Sequence, residues 1–344
     1  MVMSLPVLVA GRCVHERVAT AHCRACALAC PRAAVAMTDE ELRIDDAACD
    51  GCGLCVAVCP QEAIGMDRVP GAPGSPTIGE PCVDLICDRA PSPEGTATVP
   101  CLHAMGWQAL VRLRGRGLRS FRTFRGDCSR CDRRPTGQGF DDALAHVNAM
   151  LEGRGLEPLG CCEGTAAGSN RGASVEQAMN GSRRKFLRRL IDAPPVRSSA
   201  VGPESPASLL PAHGREPIHP RVPVIDPERC RGCDACVRLC PTGAIALHAD
   251  IGGASYLVRA ARCTGCGVCT DVCEAGAITV SQWEPQRQDA VRLAAAGCPR
   301  CGVVHHAPVL DPGQLCPVCA APRERARLFV VETAEAPHQS ASAA

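Results

Sequence analysis

One spacing, Cys-x2-Cys-x2-Cys-x3-Cys, constrains this chain more than any other feature. It stands at 49–59 as CDGCGLCVAVC, at 230–240 as CRGCDACVRLC and at 263–273 as CTGCGVCTDVC. Each copy is followed by three residues and then Ala-Ile, so the repeats run 49–64, 230–245 and 263–278. A degenerate copy, CRACALACPRAAV, spans 23–35. The repeats therefore form two tandem pairs, one near each end. Aromatic residues are only 2% of the 344, so an aromatic-packed core cannot hold the chain together. The cysteines number 27, and an odd count cannot pair fully as disulfides within one chain. The opening MVMSLPVLVAGRC lacks a basic start, and Pro6 cuts its short apolar run. No signal peptide and no transmembrane span are expected. Metal-bound thiolates in a reducing cytoplasm are the expectation. A net charge of +1 argues against a nucleic-acid partner recruited by its phosphates.

Three thiolates on one tight loop can reach three irons of a cubane. The run Cys-x2-Cys-x2-Cys-x3-Cys-Pro matches the ligation pattern of bacterial iron–sulfur ferredoxins, whose fourth cysteine serves the other cluster of a pair. That cysteine is expected to begin the next short helix, with Pro60 and Pro241 at the helix start. Gly51, Gly53, Gly232, Gly265 and Gly267 let the loops wrap closely and turn amide N–H groups towards sulfur. Residues 13–66 and 226–282 thus resemble the bacterial-type ferredoxins with two [4Fe–4S] clusters, and CDGCGLCVAVCPQEAI is the most specific stretch. The resemblance implies an α+β fold of two pseudo-symmetric halves, each a hairpin and a helix, and one-electron transfer. It implies four ligand sets. Cys230, Cys233, Cys236 and Cys273 form one; Cys263, Cys266, Cys269 and Cys240 form its partner, with Glu274 where proline usually follows. Cys49, Cys52, Cys55 and Cys30 form the third. The fourth takes Cys23, Cys26 and Cys59, but the expected cysteine is Thr20; Cys13 is the best substitute and His22 the weaker one. Zinc favours two separated knuckles and fits four thiols within twelve residues badly.

The middle cysteines are scattered: Cys82, Cys87, Cys101, Cys128, Cys131, Cys161 and Cys162. PCVDLIC reads as a buried strand, CLHAMGWQALVRLR as a helix, LRSFRTF as a second strand and DDALAHVNAMLEGRGL as an amphipathic helix. The order β-α-β-α predicts a small α/β unit with a parallel sheet. Cys87, Cys101, Cys128 and Cys131 would then gather at its carboxyl edge, where open α/β folds bind ligands. Residues 80–160 loosely resemble the small (delta-type) iron–sulfur subunit of hydrogenases that serve heterodisulfide reductase, which implies a [2Fe–2S] or redox thiol site. Ordinary buried cysteines are the alternative.

CPRCG at 298 and CPVC at 316 form two knuckles. Cys298, Cys301, Cys316 and Cys319 would close a tetrahedral zinc site, with rubredoxin-like iron as the alternative. RARLFVVE would complete the ribbon, and His305 and His306 read as solvent-facing loop residues.

The expected organisation is a ferredoxin-type module at 1–68, a small α/β domain at 78–162, a flexible linker at 163–222, a second ferredoxin-type module at 223–284 and a zinc ribbon at 295–333. The linker's SRRKFLR, 182–188, resembles a twin-arginine export motif but stands mid-chain with no apolar run after it. It reads as a short basic helix or, by analogy, as a chaperone docking site at Arg183 and Arg184. No glycine-rich dinucleotide fingerprint follows a strand. The expected function is therefore a relay of single electrons through four [4Fe–4S] clusters to or from a partner oxidoreductase, of the molybdenum or hydrogenase type. The alternative is an accessory or maturation ferredoxin for a molybdenum enzyme such as formate dehydrogenase or nitrate reductase.

Overall fold

The computed structural model describes residues 5–37, 42–72, 81–91, 98–164, 173–174, 205–212, 214, 217–250, 253–311 and 313–320. The two regions of paired repeats share one plan. In the first, Val7–Leu8 pairs antiparallel with Ile64–Gly65, and Val35–Met37 forms a hairpin with Leu42–Ile44. In the second, Val222–Ile225 pairs with Ile278–Ser281, and Ile245–Asp250 forms a hairpin with Gly253–Val258. The two ends of each module thus close on each other while its middle folds back.

Each cysteine loop leads into one short helix: Ala25–Leu28, Leu54–Val58, Ala235–Leu239 and Val268–Asp271. The expected position of the fourth cysteine needs correction. Cys59 and Cys240 do not begin a helix; they cap the C-terminal ends of Leu54–Val58 and Ala235–Leu239, in extended backbone. The following proline disfavours the helical region for the residue before it, so the helix stops there. Pro60 and Pro241 lie in the turn beyond, not at a helix start.

Between the modules, Cys82–Ile86, Ser120–Phe124 and Gly160–Glu163 are parallel neighbours, and Ala173–Ser174 lies on the other side of Cys82–Ile86. Helices Trp107–Gly115 and Phe140–Glu152 make the crossovers. Leu85, Leu110, Leu113, Phe121, Phe140 and Met150 are all buried and form this layer's core. Phe121 and Phe140 meet edge to face at 5.6 Å. Asp84, 2% exposed in the middle strand, is neutralised by the fork of Arg122 at 2.8 and 2.7 Å. The expected helix over 101–114 splits: Leu102–Ala104 is a 3-10 turn, and extended Gly106 precedes the helix proper. Gly160–Glu163 has no apolar period and is exposed throughout, so no pattern announces it.

The stretch 163–222, expected as linker, is partly built into the fold. Ser205 and Ala207 are 1% exposed, in and before the 3-10 turn Pro206–Leu209. Arg154 at the end of the long middle helix donates to the carbonyls of Pro211 and Ile218 at 3.0 and 2.9 Å, which ties this segment down. The SRRKFLR segment lies outside the described residues. Beyond the second module, Ala290–Gly297 adds to the Gly253–Val258 strand, and Val304–Ala307 pairs with it in turn. The terminal knuckles therefore hang on an extension of the module's own sheet. The RARLFVVE strand lies outside the described residues.

Candidate metal centres

The four loop ends carry the same device. The thiols of Cys30, Cys59, Cys240 and Cys273 each accept the N–H of the residue four positions later: Ala34, Ala63, Ala244 and Ala277, at 3.2 to 3.3 Å. The residue before each alanine has left-handed backbone: Ala33, Glu62, Gly243 and Gly276, with φ between 50° and 64°. The repeat's Cys-x3-Ala is thus one turn built four times, aiming an amide at sulfur. Amides that point at sulfur stabilise thiolate and tune iron–sulfur potentials.

Within each module the thiols crowd one another. Burial pushes the Cys26 thiol up to about 12, and neighbouring Cys59, Cys23 and Cys13 push the same way. Burial raises Cys55 most, joined by Cys52, Cys26, Cys49 and Cys30. Cys236, pushed up to about 12 by burial, has Cys230, Cys233 and Cys273 beside it. Cys269, raised by burial, has Cys263, Cys266 and Cys240. Burial and neighbouring thiols disfavour the thiolate at these sites, so the anionic form that ligates metal needs a cation to neutralise it. Cys13 stands with Cys23, Cys26 and Cys59, whereas the His22 side chain is 77% exposed and faces Asp271 at 3.5 Å.

The middle cysteines separate into two kinds. Cys87, Cys101, Cys128 and Cys131 line one cavity of about 300 Å³ at the carboxyl edge of the parallel sheet. The neighbouring Cys101 thiol favours the thiolate of Cys87, lowering it to about 6, while Cys101 itself is raised. His103 borders the same cavity; its Nδ1 accepts the Phe140 N–H at 3.0 Å, and its buried Nε2 has no protein partner. Cys82, Cys161 and Cys162 lie exposed on the sheet, away from this cavity.

Sequence reasoning missed Arg133, which joins this cavity to the first module. Its guanidinium donates to the Asp50 carboxylate at 2.8 Å and carbonyl at 3.0 Å, to Asp88 at 2.8 Å and to the Pro100 carbonyl at 2.9 Å. Asp50 sits inside the Cys49–Cys52 loop and accepts the Cys52 N–H at 3.2 Å. One residue in an arginine-rich stretch carries no sequence mark that sets it apart. The same interface is close-packed: a Cβ on Gly106 would meet the Ala57 carbonyl at 2.6 Å. Glu62 is forked by Arg112 from the facing helix.

At the chain's far end, Cys298, Cys301, Cys316 and Cys319 have all four sulfurs within 4.8 Å of one another. A metal–sulfur bond of about 2.3 Å sets tetrahedral sulfurs about 3.8 Å apart, so this set fits one ion. The Cys316 N–H, followed by other backbone amides, lowers Cys298 to about 6. Among the described residues no other group of three or more candidate ligands is this tight.

The reading of His305 and His306 as solvent-facing is wrong. Both lie in strand Val304–Ala307, and His305 is 8% exposed. His306 Nε2 meets the Asp234 carboxylate at 2.9 Å, and the buried Tyr256 hydroxyl donates to the same oxygen at 2.7 Å. Asp234 itself has φ +62° where the sister loops use Gly53 and Gly267. Sheet extension buries a face that spacing alone assigns to a loop. The hairpin also presses on Gly232, whose φ is +68° and whose Cβ would lie 1.7 Å from the His306 carbonyl. Gly232→Ala is expected to cost about 1–3 kcal/mol from backbone strain, with the clash against the His306 carbonyl added to it. Hydrogen exchange should show 304–307 losing protection; unchanged protection would refute this contact.

Two family models match, both described as 4Fe-4S dicluster domain, at residues 12–63 and 222–274. One curated relative, from an ion-translocating oxidoreductase complex of Methanosarcina acetivorans, is 45% identical over 42 residues, 12% of this chain and 16% of that protein. Another, from the H(2):CoB-CoM heterodisulfide,ferredoxin reductase of Methanothermobacter thermautotrophicus, is 38% identical over 66 residues, 18% of this chain and 10% of that one. The chain thus spans a sixth or less of these curated relatives. No described helix is long and apolar enough to cross a membrane. The repeats, the fourfold Cys-x3-Ala turn and the matched models agree: this chain contains two 4Fe–4S dicluster ferredoxin domains.

Proposed function

We propose that the protein relays single electrons to or from a partner oxidoreductase through four [4Fe–4S] clusters. The observation that carries this reading is the fourfold Cys-x3-Ala turn, which closes each set of thiols with an amide aimed at sulfur. Cys30, Cys49, Cys52 and Cys55 would hold the first cluster, and Cys13, Cys23, Cys26 and Cys59 the second. Cys240, Cys263, Cys266 and Cys269 would hold the third, and Cys230, Cys233, Cys236 and Cys273 the fourth. When bound, such clusters supply reversible one-electron reduction. The chain's own residues fix the thiolates, exclude water and donate the N–H···S bonds that set potential.

Cys87, Cys101, Cys128 and Cys131 are assigned to a fifth, smaller iron–sulfur centre. The four thiols on one cavity and the buried, unpartnered His103 Nε2 beside them support an anionic, thiolate-held group there. Cys298, Cys301, Cys316 and Cys319 are assigned to zinc. Both curated relatives come from oxidoreductase complexes, which favours a redox partner over an isolated shuttle. Redox titration of anaerobically purified protein, followed by low-temperature EPR, tests the reading. Dithionite should generate paramagnetic cluster signals, and Cys128→Ala should remove the smaller centre's signal alone. A preparation that takes up no electrons would refute the relay.

A further inference from the structure

The first module departs from its repeat at one place: nine residues, not two, separate Cys13 from Cys23. That excess is not slack. Val14–Glu16 is a 3-10 turn, and Val14 and Ala21 are 4% and 6% exposed. Their burial comes from the other module. Val14, Ala21 and Val268, which is 1% exposed, form one apolar cluster, with Val18, Leu239 and Val272 packed on it. Two thiols border the same cluster, Cys23 from the first module and Cys266 from the second. Polar contacts seal its edge. The His22 N–H donates to Asp271 at 2.9 Å, and the Gln61 amide donates to Thr264 with both side chains buried.

We infer that the 14–22 loop is a docking element that fastens the two ferredoxin modules into one body, with the Cys13/Cys23/Cys26/Cys59 set against the Cys240/Cys263/Cys266/Cys269 set. A single module has no use for three apolar side chains on an exposed loop, because burying them stabilises only if a partner surface is present.

The placement gives the six cysteine sites a fixed order. The middle-domain set reaches the first module beside Gly53, where an added Cβ would meet Ala104 at 3.0 Å, three residues beyond Cys101. Helix Ala25–Leu28, which carries Cys26, packs on helix Leu54–Val58, which carries Cys55. Cys23 and Cys266 mark the crossing, and Cys236 and Cys269 border one apolar cluster in the second module. A cavity of about 860 Å³ is lined by Cys230, Cys233, Cys236 and Cys273 and also by Cys301 and Cys319 of the terminal knuckles. The sites therefore stand in single file from the parallel sheet to the ribbon. The modules are not separate shuttling heads.

This inference rests on the cluster reading above, and the test separates the two. Full-length protein and the double variant Val14→Asp with Ala21→Asp are compared by iron content, small-angle X-ray scattering and EPR after full reduction. The variant is expected to keep its iron, show a larger maximum dimension and lose part of the magnetic interaction between cluster spins. If that variant loads iron poorly, Thr264→Ala with Asp271→Ala carries the same comparison. Superimposable scattering and EPR at equal iron would overturn the docking element and leave the relay reading intact. A wild-type chain without iron would overturn both.

Discussion

Stripping the metals with chelator and oxidant is expected to unfold residues 222–281 while the parallel sheet and its helices persist. The two regions are held by different forces. The second module's buried apolar cluster is small: Ile225, Ile245, Tyr256, Val258, Ile278 and Val291, with cysteines as much of the remainder. A structural metal site can supply on the order of 10 kcal/mol of folding free energy, so its loss should be decisive there. Without metal, the thiols of that module, most of them half-buried to buried, stay protonated and no longer tie its loops together. The middle domain has Leu85, Leu110, Leu113, Phe121, Phe140 and Met150 fully enclosed and needs no ion to cover them. Hydrogen exchange by mass spectrometry reads the outcome. Amides of 120–124 and 140–152 should stay slow while those of 222–225 and 278–281 become fast. Equal loss across the chain would mean that the core assigned to the middle domain does not stand alone.

Arg133→Ala should be the most damaging single substitution outside the cysteines. Its side chain is 7% exposed and serves two carboxylates, Asp50 and Asp88, each 17% exposed. Burial alone would raise the Asp50 carboxyl, but the Arg133 hydrogen bonds and charge hold it below its usual range. Removing the cation strands Asp88 and the Asp50 and Pro100 carbonyls, and leaves the Asp50 carboxylate only the Cys52 N–H and Arg32, 3.6 Å away. Breaking one partner out of a buried ion pair costs roughly 3–5 kcal/mol. Arg133→Lys should recover only part of this, because an ammonium cannot fork between the two carboxylates and the two carbonyls. Thermal unfolding measures the loss, and exchange in 49–55 shows whether the cysteine loop loosens with it. An alanine variant within about 0.5 kcal/mol of wild type, the range of an ordinary surface change, would contradict this role.

Local chemistry is legible in the sequence, and long-range packing is not. The Cys-x3-Ala repeats mark four turns in one dimension, because ligation geometry forces the spacing. The strand-helix-strand-helix order of the middle domain follows from apolar periods in residues such as Leu85, Leu110, Phe121 and Val147. Gly160–Glu163 escapes because an exposed edge strand needs no apolar face. Cys59 and Cys240 are expected at the wrong end of a helix because a proline after the cysteine suits a helix start as well as a stop. His306 and Asp234 stand 72 residues apart and meet only because the ribbon hairpin extends the module's sheet. The same blindness applies to the 14–22 loop. In one dimension it is a spacing defect beside Thr20; in three it is a surface that another module covers.

The central claim is that buried thiols in the two dicluster domains hold iron–sulfur clusters, and direct analysis of anaerobically purified full-length protein tests it. Four cubanes predict about 16 iron and an equal amount of acid-labile sulfide per chain, with further iron if the middle cavity is filled. Zinc should appear at about one per chain from the four terminal cysteines. A colourless preparation containing zinc and no labile sulfide would contradict the account.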